Sequence, residues 1–180
     1  MGHLGKETIT LGGGCFWCIE AVFAELKGVQ KVESGYSGGY TDGPTYKEVC
    51  AGNTGHAEVV QLTFDPEVIT LKDILEVFFA VHDPTTKNRQ GADMGPQYRS
   101  VIFYENEEQK AAAEQAIREV DASGHYHTAV VTELTPYRRF YRAEDYHQEY
   151  FQNNSQQPYC RAVIGPKLEK FRSLFKEKRK

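Results

Sequence analysis

Cysteine, basic charge and long apolar runs are the scarce ingredients of this chain. Four cysteines in 180 residues are too few for the disulfide framework of a small secreted domain. The N-terminus carries no charged stretch, apolar run and small-residue cleavage site, so a cytoplasmic protein is expected. In that compartment thiols are kept reduced, and cysteines that form bonds are more often catalytic or redox-sensing than structural. Lysine and arginine number 21 against 25 aspartates and glutamates, a formal net charge of −4, which offers no clustered basic footprint for nucleic acid. The most apolar stretch, around residues 74–81, is interrupted by Glu76 and is far too short to span a bilayer. There is no repeat, low-complexity segment or linker composition. With 40% hydrophobic residues, the chain is expected to form a single domain over residues 1–180, working as a monomer.

The apolar spacing predicts an ordered series of elements. Residues 8–11 read as a strand running into Gly12, Gly13 and Gly14. Phe16, Ile19, Val22, Phe23 and Leu26 then mark a helical face that Gly28 ends. Residues 29–36 alternate as a strand before the glycine-rich loop 37–44. A short helix is expected at 46–51, a strand at 56–64, a helix at 71–81 after the Asp65-Pro66 turn, and a strand at 98–104. The clearest helix is 105–120, with Asn106 as its cap and Glu107 and Glu108 in its first turn, followed by a strand at 128–134. Strand, helix, strand, strand, helix, strand is the split β-α-β order of ferredoxin-like domains, so the expected fold is α+β, a two-layer sandwich with a mainly antiparallel sheet. Periodicity fades over residues 135–166, which are expected to wrap the surface irregularly. A terminal helix over about 167–178 shows Leu168, Phe171, Leu174 and Phe175 at helical spacing, and its lysines and arginines read as a solvated face.

The chemistry concentrates at Gly12-Gly13-Gly14-Cys15-Phe16-Trp17-Cys18. A cysteine at the first turn of a helix meets unpaired amides and the positive dipole end, which favour the thiolate, the nucleophilic form. The glycines allow a tight turn without side chains around the sulfur. Glycine-rich turns also cradle phosphates, but neither a G-x-G-x-x-G nor a Walker pattern is present. Phe16 and Trp17, the latter the only tryptophan, offer an apolar pocket for a methyl and a soft sulfur. Taken singly, both also fit ordinary core packing.

The run Gly14-Cys15-Phe16-Trp17 resembles the active-site motif of the A-type peptide methionine sulfoxide reductases. The similarity continues in order through Tyr46-Lys47-Glu48-Val49-Cys50, Gly55-His56-Ala57-Glu58, His82-Asp83-Pro84-Thr85-Thr86, Asn88-Arg89-Gln90-Gly91-Ala92-Asp93-Met94-Gly95, Gln97-Tyr98-Arg99-Ser100 and Ala143-Glu144-Asp145-Tyr146-His147-Gln148. It spans the chain from Cys15 to about Cys160. The resemblance implies reduction of the S epimer of methionine sulfoxide, free or in proteins, and thereby repair of oxidative damage. In that reading Cys15 is the nucleophile and Glu58 the proton donor, its pKa raised by a poorly solvated site. Tyr46 and Tyr98 donate hydrogen bonds to the sulfoxide oxygen, while Phe16, Trp17 and Asp93 bind substrate.

A sulfenic acid on Cys15 would condense with a second thiol. The resemblance favours Cys160, on what it implies is a mobile C-terminal stretch, as the resolving cysteine. Cys18 makes a C-x-x-C with Cys15 and stays open as the alternative. Reopening the disulfide requires an external thiol system, thioredoxin or a small dithiol, and no resident cofactor is expected. Cys50 has no implied partner and reads as a small buried residue. His125 and His127 lack third and fourth ligands at supporting spacing, so no metal site is expected. His56, His82 and His147 are expected to hold loops or hydrogen-bond the site. The competing readings are a general dithiol oxidoreductase built on Cys15 and Cys18, a zinc-trapping redox sensor, and a Cys-His hydrolase.

Overall fold

The computed structural model describes residues 6–180. A six-stranded mixed sheet carries the molecule, formed by β1 (Glu7–Gly12), β2 (Val29–Ser37), β3 (Ala57–Phe64), β6 (Val101–Tyr104), β7 (Glu133–Pro136) and β8 (Phe140–Arg142). Two further strands, β4 (Arg89–Gln90) and β5 (Asp93–Met94), form a separate hairpin. The main sheet runs β7-β6-β1-β3-β2-β8. Every neighbouring pair is antiparallel except β6 with β7, which are parallel.

Strand parity divides the core. In β3, Val60, Leu62 and Phe64 point to the face packed against helices, where they join Ile9 and Leu11 of β1 in the main cluster. Ala57 and Val59 point the other way, into a small cluster with Val101 and Phe103 under Tyr137 and Phe140. Helix α1 (Phe16–Phe23) is buried on almost every side, packed between the sheet and the C-terminal helices α5 (Tyr150–Asn154) and α6 (Gly165–Leu174). Helices α2 (Tyr46–Cys50) and α3 (Leu71–Val81) each begin with a capping box, Thr45 with Glu48 and Thr70 with Asp73. Helix α4 (Glu107–Ala122) is capped by Asn106 as the sequence predicts.

The departures have local causes. The strand expected from residue 98 starts at Val101, because Pro96–Tyr98 forms a 3-10 turn after Gly95, whose φ is 139°. The strand expected at 128–134 begins only at Glu133. Residues 135–166 are not an irregular wrap. They contain the end of β7, all of β8, a 3-10 turn at Asp145–His147, α5, and a π-helical turn at Cys160–Ile164 leading into α6. These elements are three to five residues long, too short to show a period. The terminal helix stops at Leu174, and its tail returns to pair Leu26 with Arg179. Among the described residues, no helix is long and apolar enough to cross a membrane.

Candidate active site

The end of β1 delivers the chain into α1 through a turn with no room for side chains. A Cβ on Gly13 would lie 2.9 Å from the His82 ring, and Gly14 has φ +95° with the Gln90 side chain 2.8 Å from where its Cβ would sit. Below this turn His82 is held between the Phe78 carbonyl and the Ser100 hydroxyl, the latter at 2.7 Å. Burial pushes its pKa down to about 4, so the ring is neutral. Gln90 accepts from the Asp83 N–H at 2.9 Å, fixing the floor beneath Gly14.

Cys15 occupies the N-cap of α1 with extended backbone and no side-chain cap bond. The acceptor that its side chain does not supply comes from β3: Glu58 Oε1 accepts the Phe16 N–H at 3.1 Å. Glu58 shares the inward parity of Val60, Leu62 and Phe64 and is 1% exposed. Its other oxygen, Oε2, is buried and has no hydrogen-bond partner among the described residues. Burial pushes the Glu58 carboxyl up to about 8 against the opposing Phe16 amide bond, and the charges of Asp93 and Cys18 push it further the same way. At neutral pH it is mainly the neutral acid, with a free O–H to donate.

The thiolate expected from the helix terminus is not the resting form. Burial, contact with Cys18 and the proximity of Glu58 raise the Cys15 thiol, outweighing the helix amides. Cys18, one helical turn on, is lowered to about 7, chiefly by its interaction with Cys15 and against burial, with help from Lys167. Cys15, Cys18 and Cys160 share one buried cluster with Ala21 and Ile164. Cys160 is fully buried at the start of the π-helical turn, whereas the resemblance implied a mobile stretch. Cys50 is exposed, contrary to the buried role expected of it, because Val49 is the residue of α2 that faces the core.

Phe16 is fully buried, with Tyr36, Tyr46 and His147 rings around it at 5.7, 6.2 and 5.1 Å between centroids. Trp17 is half-buried, and its Nε1–H donates to His147 Nδ1 at 3.0 Å. Tyr46 opens α2 and Tyr98 closes the 3-10 turn. Burial first and Glu58 second raise both hydroxyls, so both remain donors. Asp93 is brought to the site, but its Oδ2 accepts from Tyr159 at 2.6 Å, and the same Tyr159 hydroxyl lies 3.8 Å from the Cys18 sulfur.

Sequence reading missed four contributors to this arrangement. Tyr36 lies opposite Glu58 in the β2–β3 register and donates to Glu144 at 2.9 Å. Glu144 also accepts the Tyr46 N–H at 2.9 Å. Tyr150 stacks on Trp17, and Tyr159 precedes Cys160. Strand parity could have found Tyr36, and the position beside Cys160 could have drawn attention to Tyr159. Glu144 and Tyr150 depend on contacts across about a hundred residues or more. His56 is engaged by Gly39 N–H and the Thr41 carbonyl, while His125 and His127 are exposed in a segment without a strand. No cluster of three or more metal-ligating side chains occurs among the described residues.

Residues 7–179 match the family model described as peptide methionine sulfoxide reductase. The chain belongs to this family. Peptide methionine sulfoxide reductase MsrA of Saccharolobus solfataricus is 56% identical over 172 residues, covering 96% of each chain. Among solved structures, the reduced form of Mxr1 from Saccharomyces cerevisiae superposes with a TM-score of 0.79 at 35% identity, over 88% of this chain and 91% of that one. The same yeast protein in complex with Trx2 gives 0.57 at 25% identity, over 83% and 87%. This reductase is thus an oxidoreductase that uses thiols to return methionine sulfoxide to methionine, a peptide-methionine (S)-S-oxide reductase with an α+β fold like that of its solved relatives.

Proposed function

We propose that Cys15 attacks the sulfoxide sulfur while Glu58 protonates its oxygen, and the carrying observation is the unpartnered Oε2 of a buried, neutral Glu58 beside the cysteine. One Glu58 oxygen is committed to the helix amide; the other meets no partner among the described residues and is free to donate to a sulfoxide oxygen. Tyr46 and Tyr98 donate to that same oxygen. Trp17 forms the wall for the methyl, Phe16 backs it from the core, and Asp93 receives the substrate once Tyr159 releases it. The Cys15 thiol proton replaces the one Glu58 gives up, and the oxygen passes from the methionine sulfur to Cys15, leaving methionine and a sulfenic acid. A second thiol then displaces water and forms a disulfide.

Cys160 is the resolving thiol of this reading, with Cys18 the alternative, since both share the buried cluster with Cys15. The reductant is thioredoxin or a similar dithiol, supported by the yeast relative solved with Trx2. The enzyme acts in the cytoplasm, as one domain and a monomer, on free and protein-bound sulfoxide, without resident cofactor, nucleic acid or membrane. Its core is ferredoxin-like: β6-β1-β3-β2 are antiparallel throughout, and α1 and α3 connect β1 to β2 and β3 to β6.

Single turnover of a methyl sulfoxide without reductant tests the scheme. About one methionine per enzyme is expected from the wild type, and none from Cys15→Ser. Mass mapping of the oxidised protein should link Cys15 to Cys160. Turnover in Cys15→Ser sinks the proposal, and a Cys15–Cys18 link reassigns the resolver.

A further inference from the structure

Glu20 is an acidic side chain within the apolar face of α1, 2% exposed, its carboxyl raised to about 7 by burial against two backbone hydrogen bonds, with no place in the chemistry described above. Its partners lie 129 and 130 positions along the chain: one oxygen accepts the Glu149 N–H at 2.8 Å and the other accepts the Tyr150 N–H at 3.3 Å. Both donors belong to the start of α5, where Glu149 adopts a left-handed conformation at φ +53° and has no side-chain cap of its own. A non-glycine residue in that region persists only where its surroundings hold it. Glu20 supplies that hold from a neighbouring helix. The turn it secures places the Tyr150 ring flat on Trp17, 3.7 Å between centroids and 7° from parallel. Trp17 is three residues before Glu20 on the same helix, so one rigid element carries both the indole and the carboxylate that brings its cover.

We infer that Glu20 is a positioning residue for the substrate wall: by capping the Glu149–Tyr150 turn it clamps Tyr150 on Trp17 and fixes the indole where the sulfoxide methyl docks. The inference rests on the reading of Trp17 as that wall. Glu20→Gln keeps the shape but puts an amide donor against one of the two backbone donors. Loss of one aromatic stack is worth a factor of about 2 to 13, so KM should rise by that order while kcat stays within about threefold. Emission from Trp17, the only tryptophan, should shift in the substrate-free protein. Tyr150→Ala should raise KM similarly, and the double variant should show no further loss. Unchanged KM and emission in a folded Glu20→Gln protein would overturn the inference, as would fully additive effects. If Glu20→Gln does not fold, an unchanged KM in Tyr150→Ala overturns it by itself. The emission measurement needs no turnover. A wild type without sulfoxide reductase activity would therefore sink the catalytic reading and leave the clamp to be judged separately.

Discussion

The two oxygens of Glu58 live in different surroundings, and the acid's role follows from that difference. Oε1 takes the Phe16 amide, and Oε2 has no partner among the described residues. With the carboxyl raised from the ordinary 4.5 to about 8, the acid is available at neutral pH and ionises above it. The rate of the chemical step should therefore fall as pH rises through about 8, and Glu58→Gln should lower it by about 10²- to 10⁴-fold while removing that limb of the profile. Linkage gives a second consequence. Between 4.5 and about 8 the folded state holds a proton that the unfolded chain has lost, so the stability contributed at low pH declines as pH rises. Glu58→Gln mimics the neutral acid, and its melting temperature relative to wild type should climb from pH 5 to pH 8.5. A flat difference across that range would refute the raised pKa. Alternation was enough to put Glu58 opposite Ala57 and Val59. Knowing that its face was the buried one required the helices above it.

At the scale of elements, the strand–turn–helix entry was legible because glycines, the apolar helix face and the cysteine mark it together. The reason for each glycine was not. Gly13 is small because the His82 ring lies against it, and Gly14 combines φ +95° with the Gln90 side chain. Those neighbours sit on segments about seventy residues on, which no local pattern encodes. Gly14→Ala should lower stability by roughly 1–3 kcal/mol through the left-handed backbone alone. It should also lower activity, because the Cα that shifts is adjacent to Cys15. Thermal melting together with turnover checks this, and an alanine variant of wild-type stability would show that the turn relaxes freely. The helix at residues 71–81 was legible from its apolar face after the Asp65-Pro66 turn, and the Thr70–Asp73 capping box found in the structure starts it at the same residue. The strand expected at 98 failed because a proline and a positive-φ glycine override β-propensity locally.

Across the whole molecule, the C-terminal part is the least legible because it is organised by distant polar contacts. The Gln148 side chain bonds both the N–H and the carbonyl of Ser34 at 3.0 and 2.9 Å. Glu20 caps α5, and the Arg172 guanidinium grips Glu25 at 3.0 and 2.6 Å, with Arg179 3.6 Å from the same carboxylate. The segment bearing Cys160 is thereby held on both sides, and the cysteine is buried. If Cys160 resolves the sulfenic acid, it acts from a packed segment rather than by the swing of a free tail, and reagents in solution reach it only by local opening. Alkylation of the reduced, native protein reads this directly. Exposed Cys50 should label first, and Cys160 only at the rate of opening. Glu25→Gln weakens partly exposed ion pairs, each worth about 0.2–1 kcal/mol, so Cys160 should label roughly two- to fivefold faster with Cys50 unchanged. Labelling of Cys160 as fast as Cys50 in the wild type would contradict its burial. An unaltered Cys160 rate in Glu25→Gln would show that these ion pairs do not limit its opening.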